Sequence, residues 1–107
     1  MKIDAVIVNL NKGGRREHDE EIRGKLLCSI EALTYLLGEP HGPAADNTKV
    51  SAEWYLVTDH GNVTVHDYWS NAENELTIQA AEDQAARDAV KYFRQSGLRA
   101  YMLTGEL

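Results

Sequence analysis

Histidines are the side chains of this sequence best suited to hold a metal ion or move a proton, and there are four of them. His60 and His66 each adjoin an aspartate, a pairing that metal centres and acid–base sites both use. Neighbouring residues of a strand point to opposite faces, so His66 and Asp67 cannot act on one atom. His18 and His41 fall at spacings that match no metal-binding helix or knuckle. We therefore expect no metal ion and no cofactor.

A basic, glycine-containing segment is the best candidate for an anion-binding site. Its residues are Lys12, Gly13, Gly14, Arg15 and Arg16. Exposed backbone amides and two guanidinium groups are donors that could hold a phosphate. The phosphate-loop pattern is absent, because Gly24-Lys25 is followed by Leu26 where a Ser or Thr would hold magnesium. The segment is either a charged, solvated loop or the anion site of a nucleotide-binding protein.

The chain is acidic, with 17 Asp and Glu against 11 Lys and Arg and a formal net charge of -6. This charge argues against direct binding to nucleic acid or an anionic membrane, because both would be repelled. It serves either solubility alone or the binding of a basic protein surface. For the second alternative, the expected contact residues are Glu17, Asp19, Glu20, Glu21, Glu73 and Glu75.

Nucleophiles are scarce. Cys28 is the only cysteine, so neither an internal disulfide nor a cysteine-based zinc cage can form, and a reducing compartment is expected. Its neighbours Leu27 and Ser29 would not lower the pKa of the thiol. The carboxylates of residues 17–21 fall in a segment too polar to be held in a catalytic geometry. We expect a protein that is not an enzyme.

A β-hairpin is the clearest structural element, and it carries both tryptophans. Residues 49–58 and 63–69 alternate in polarity and flank a Gly-Asn turn signal. The alternation puts Trp54 and Leu56 on one face. We expect that face to pack on apolar side chains of two helices, Leu33, Leu37 and Phe93.

The amino-terminal part of the chain predicts a strand, a loop, a strand and a helix. Residues 3–10 are apolar at nearly every position, as in a central strand covered on both faces. Residues 11–23 hold almost no apolar side chain and predict a solvated loop, after which residues 26–28 close a second strand. Ser29 is a suitable N-cap for a short helix that ends at Gly38.

The carboxyl-terminal part predicts a strand, a helix and a strand. Residues 75–80 alternate and extend the hairpin into an antiparallel meander. A second helix begins at Glu82 and stops at Gly97 in a Schellman-type turn, before a final strand over residues 99–104. The resulting ββαβββαβ order predicts a single α+β domain, with a mainly antiparallel sheet and two helices packed on one face.

The sequence pattern predicts no targeting signal. The apolar run at the amino terminus is too short for a signal peptide and contains Asp4. No stretch is long and apolar enough to span a membrane. Together with the lone cysteine, these features favour the cytoplasm.

Several segments resemble those of small phage-encoded proteins of unassigned function, in which a helix ends in Leu-(Phe or Leu)-Gly-Glu-Pro and two strands carry Lys-x-x-x-Glu-Trp and x-Ile-Tyr-Asp-(Trp or Tyr). His66 stands where those proteins carry the Tyr of the last motif, and residues 76–80 lack the Trp-His-Ile-Gly-Gly ending of their third strand. The matching segments are Ser29-Ile30-Glu31-Ala32-Leu33, Leu36-Leu37-Gly38-Glu39-Pro40, Lys49-Val50-Ser51-Ala52-Glu53-Trp54 and Val63-Thr64-Val65-His66-Asp67-Tyr68-Trp69. The resemblance covers residues 24–98. It implies a phage or prophage accessory protein acting in the cytoplasm of a bacterial host, and it supplies no catalytic residue.

Two functions follow as expectations. The first is an acidic, anti-CRISPR-like inhibitor that binds a host defence complex through a basic surface of that complex. The alternative is a nucleotide-binding sponge, closed by the segment of residues 12–16 and formed as a homodimer or other oligomer. A structural or assembly protein of the phage is a third possibility.

Overall fold

The computed structural model describes residues 6–7, 21–39, 52–67 and 74–103. These residues form six strands and two helices in the order β1, β2, α1, β3, β4, β5, α2, β6. Their bounds are β1 Val6–Ile7, β2 Glu21–Leu27, α1 Ile30–Leu37, β3 Glu53–Thr58, β4 Gly61–His66, β5 Leu76–Ala80, α2 Asp83–Gln95 and β6 Arg99–Met102. The strands form one antiparallel sheet in the order β1-β3-β4-β5-β2-β6. The predicted α+β class and the ββαβββαβ order are confirmed.

One face of the sheet carries the apolar core. Trp54 and Leu56 of β3 are fully buried and lie opposite Val65 and Val63 of β4. The predicted partners of that face, Leu33, Leu37 and Phe93, belong to the same buried cluster. The indole Nε1 of Trp54 also donates a hydrogen bond to the Gly38 carbonyl at 3.0 Å, which fixes the end of α1 to the hairpin. The orientation predicted for this hairpin is confirmed.

The ends of both helices follow their predicted chemistry. The Ser29 hydroxyl accepts a hydrogen bond from the Ala32 amide at 3.0 Å and caps α1. At the end of α2, the Leu98 amide donates to the Phe93 carbonyl at 2.9 Å and the Gly97 amide to the Arg94 carbonyl at 3.1 Å. These two bonds make a Schellman motif, with Gly97 at φ +90°.

The turn of the hairpin differs from expectation. Gly61 and Asn62, expected to form the turn, instead begin β4 and pair with Thr58 and Val57 of β3, so the turn consists of residues 59–60.

Three further strand positions differ from expectation. The predicted central strand of residues 3–10 contributes β1, which pairs with β3 at the end of the strand order among the described residues. The solvated loop expected over residues 11–23 is wrong at its last three positions, because β2 begins at Glu21. The polar side chain of Arg23 is accommodated in this strand because it donates two hydrogen bonds of 2.7 Å, to the carbonyls of Ala80 and Ala81. The final strand ends at Met102 rather than at residue 104.

The opposite face of the sheet is polar. A row of cross-strand partners runs over five adjacent strands from β3 to β6, and consists of Glu53, His66, Thr77, Lys25 and Tyr101. His66 and Thr77 are fully buried, whereas Tyr101 at the edge strand is 38% exposed. The row therefore leads from a closed interior to the open edge at β6.

Within the ranges given above, neither helix has the length and apolar character needed to cross a membrane.

Candidate functional site

Only two of the six acids expected to contact a partner fall in the described part of the chain. Glu21 begins β2 opposite Ala80, whereas Glu75 adjoins Leu76, which lies opposite Leu26. Five residues of strand, about 17 Å, separate the two ends of this ladder. Glu21 and Glu75 therefore do not adjoin one another. The other four, Glu17, Asp19, Glu20 and Glu73, lie outside the described residues.

Each of the two acids has a basic neighbour. Glu21 lies 3.9 Å from a terminal nitrogen of Arg23, and Glu75 lies 3.7 Å from Nζ of Lys25. These ion pairs reduce the negative field that the two carboxylates present to a partner. The expected anion-binding segment, Lys12, Gly13, Gly14, Arg15 and Arg16, also lies outside the described residues.

His60 has a partner that its sequence neighbours did not reveal. Its Nδ1 lies 2.6 Å from Oδ2 of Asp88 on α2, and the Asp88 side chain is only 3% exposed. The second oxygen of this carboxylate accepts a hydrogen bond from Gln84 at 3.2 Å. A buried carboxylate needs such donors to offset its lost hydration. The pair therefore anchors the β3–β4 turn to α2, and sequence reasoning missed it because 28 residues separate the partners.

The interior part of the polar row, from Glu53 to Lys25, forms hydrogen bonds within the protein. Lys25 Nζ donates to the Thr77 hydroxyl at 3.2 Å, and His66 hydrogen bonds to the Gln79 side chain. Beside the row, the Tyr55 hydroxyl donates to Glu53 at 2.6 Å. His66 and Thr77 are fully buried, so their polar contacts specify the pairing register of β4 and β5 rather than meet a ligand. In the described ranges, no three His, Cys, Asp or Glu side chains come together as a metal site would require.

The cysteine is not placed for nucleophilic chemistry. Cys28 belongs to the buried core, and burial raises the pKa of its thiol. A raised pKa lowers the thiolate fraction at neutral pH, and the thiolate is the reactive form.

An open hollow of about 490 Å³ lies where α2 ends and β6 begins. Its described lining consists of Leu27, Arg94, Gly97, Leu98, Arg99, Ala100 and Tyr101. The Schellman turn gives the hollow its shape, because it reverses the chain tightly between Arg94 and Arg99. Space is left beside Gly97, where an added Cβ would meet no heavy atom within 4 Å. The volume is in the range of small-molecule sites.

Two arginines of the hollow lack acidic partners among the residues that the structure describes. Arg23 and Arg87 each lie within 4 Å of a carboxylate, at 3.7 Å and 3.0 Å from Asp83. By contrast, Arg94 and Arg99 form no ion pair with any residue that the structure describes. Acids outnumber bases in the chain, so two arginines that line one hollow, neither of them paired with a described acid, indicate positive charge in the described part of this surface.

Arg94 is held in place by one edge of its guanidinium group. Its Nε donates to the Ala100 carbonyl at 2.8 Å, and its terminal nitrogens have no other hydrogen-bond partner among the described residues. The end of a helix carries a partial negative charge that opposes anion binding by about 0.3–1 kcal/mol. Charge-assisted bonds to a guanidinium group contribute about 1.5–3 kcal/mol each, so two arginines outweigh this effect.

Comparisons with known proteins leave the hollow to be interpreted from its own geometry. No protein-family model, curated protein or solved structure matches the chain. The elements predicted from the sequence place Arg94 in the second helix and Arg99 at the start of the last strand, but they do not bring the two residues together. A usable signal was present, because the turn at Gly97 necessarily brings residues on either side of it close in space.

Proposed function

We propose that the protein is a binding protein that captures a small organic anion in the hollow between α2 and β6. One observation carries this proposal: Arg94 and Arg99 line the same hollow, and neither forms an ion pair within the described residues. A planar guanidinium group binds carboxylate and phosphate oxygens through two parallel bonds. Phosphate and carboxylate compounds are therefore the ligands that suit the hollow.

Binding rather than turnover is the proposed activity. The hollow contains no histidine, cysteine or carboxylate in its described lining, so it offers neither a nucleophile of high reactivity nor a general base of suitable pKa there. Sequestration needs only the two cations and an apolar floor, which Leu27 and Leu98 supply. The proposal corresponds to the nucleotide-binding sponge considered in the sequence analysis, but its anion site is at Arg94 and Arg99 instead of residues 12–16.

Calorimetric titration with ribose 5-phosphate tests the proposal. Wild-type protein should bind with a dissociation constant of about 0.1–1 mM, equivalent to roughly 4–5.5 kcal/mol, and more weakly as salt rises. Arg94→Gln and Arg99→Gln should each weaken binding at least five-fold. Lys91→Gln is the matched control, because Lys91 is an exposed α2 residue that also lacks an ion pair among the described residues but does not line the hollow. Equal losses in all three variants would contradict the proposal.

A second candidate function rests on the net charge of -6. In this alternative, the protein is a phage-encoded accessory protein that binds a basic surface of a host defence complex in the bacterial cytoplasm. The ion pairs of Glu21 and Glu75 make these two acids weaker contributors than their number suggests. Recovery of one host complex from a bacterial lysate, with release by added salt and loss in a Glu20→Lys, Glu21→Lys variant, would support this function. Recovery unaffected by both changes would exclude it.

A further inference from the structure

The described lining of the hollow includes one aromatic residue, Tyr101, as well as the two arginines. Tyr101 lines the hollow and is 38% exposed, whereas Leu26 and Met102 of the same β2–β6 ladder are buried. An exposed tyrosine ring presents a flat π-face on which a planar heterocycle can stack. The hollow thus offers two different kinds of contact to one ligand.

The spacing of these contacts matches a ligand with an anionic end and an aromatic end. Arg99 and Tyr101 stand two positions apart on β6, so both side chains leave the same face of the strand about 7 Å apart. That separation is comparable with the pentose that stands between the phosphate and the base of a nucleotide. Leu27, which lies opposite Arg99 in the neighbouring strand, supplies apolar surface beneath the sugar and base.

From this arrangement we infer that the ligand class is a nucleoside monophosphate, with its phosphate on Arg94 and Arg99 and its base stacked on Tyr101. The inference rests on the proposed anion-binding function and adds the identity of the ligand's second half. Stacking tolerates every base, because each has a π-face, so the site discriminates nucleotides from sugar phosphates rather than one base from another.

An acidic peptide pairing with the open side of β6 is the competing occupant. Arg94 opposes it, because its Nε already holds the Ala100 carbonyl, the acceptor that an added strand would need. A nucleotide requires no such displacement, since it would use the terminal nitrogens of Arg94.

Titrations with AMP and with ribose 5-phosphate separate the inference from the proposed function. AMP should bind wild-type protein about 5- to 100-fold more tightly than ribose 5-phosphate, as expected for one stacked base. Tyr101→Leu should reduce the ratio to about two or less while leaving ribose 5-phosphate affinity unchanged. Tyr35→Leu is the matched control, because Tyr35 is 94% exposed on α1 and far from the hollow in sequence; it should leave the ratio intact.

The outcomes are distinct. Equal affinities of the two ligands for wild-type protein, or a ratio that survives Tyr101→Leu, would overturn the nucleotide assignment and leave anion binding standing. Failure of both ligands to bind would overturn the proposed function itself. A measurement without any variant covers the case of a misfolded Tyr101→Leu protein: nuclear Overhauser contacts should connect adenine protons to the Tyr101 ring, and their absence in a saturated complex would contradict the inference.

Discussion

The Arg94 side chain and the Ala100 carbonyl are joined across the turn that ends α2, with Nε 2.8 Å from the carbonyl oxygen. The bond holds the guanidinium group against β6 and leaves its terminal nitrogens without a hydrogen-bond partner among the described residues. Because the side chain is already ordered, an anion that binds there pays less conformational entropy than it would at a mobile arginine. One residue thus serves both the turn and the proposed site.

The two arginines of the hollow should separate stability from binding. Arg94→Gln removes the bond to Ala100 and should lower the free energy of unfolding by about 0.5–1.5 kcal/mol as well as weaken ribose 5-phosphate binding. Arg99→Gln should weaken binding with a stability change within about 0.5 kcal/mol, because its exposed side chain holds no described partner. Urea denaturation and calorimetry measure the two quantities. A stable Arg94→Gln protein with intact binding would show that the Ala100 contact is not formed in solution.

Trp54 should be the most costly single truncation in the hairpin. Its ring is fully buried, and its Nε1 bond to Gly38 links β3 to the end of α1. Trp54→Ala should lower the free energy of unfolding by about 3–5 kcal/mol through lost burial and the cavity that remains. Tyr35→Ala, at an exposed helical position, provides the control and should change stability by less than about 0.5 kcal/mol. A loss below about 1 kcal/mol for Trp54→Ala would place the ring at the surface.

The contact between His60 and Asp88 should appear as a coupling energy. Because His60 is 51% exposed, solvent screens the pair, and a double-mutant cycle with His60→Ala and Asp88→Asn should give only about 0.5–1 kcal/mol. A control cycle combines Asp59→Asn with Asp88→Asn. It should give no coupling energy, because Asp59 is an exposed neighbour of His60. Equal coupling energies in the two cycles would contradict a specific bond between the turn and α2.

Gly97 should be required for its backbone rather than for its small volume. Its φ of +90° disfavours any side chain, although an added Cβ would meet nothing within 4 Å. Gly97→Ala should therefore lower the free energy of unfolding by about 1 kcal/mol, because the left-handed conformation costs an L-residue roughly that much. Gly97→Asn should lose less, since Asn adopts this conformation more readily. Identical stability of Gly97→Ala and wild-type protein in thermal denaturation would count against the Schellman turn.

Local signals in the sequence were sufficient for much of the fold. The alternation around Trp54, the cap at Ser29 and the stop at Gly97 each act within a few residues, so a sequence pattern records them. The strand position of Arg23 was missed because it depends on carbonyls of Ala80 and Ala81, which belong to another part of the chain.

The site was harder to predict because its residues come from parts of the chain that meet only after folding. The partner of His60 lies on α2, and a search among adjacent acids could not find Asp88. Arg94 and Arg99 carry no motif, and they become a pair only once the turn at Gly97 folds β6 back beside α2. The basic and acidic segments that did attract attention in the sequence are chiefly runs of charge, which identify an electrostatic property without fixing a geometry.

Backbone amide shifts during titration with AMP test the central claim most directly, because they report where the ligand binds. The proposed site predicts saturable ¹H–¹⁵N shifts concentrated at Gly97, Leu98, Arg99, Ala100 and Tyr101, with little change at the His60 turn on the hairpin. The same titration of Arg99→Gln protein should need at least five-fold more AMP to reach half of the change. Saturable shifts centred elsewhere, or no shift at millimolar AMP, would contradict a nucleotide site between α2 and β6.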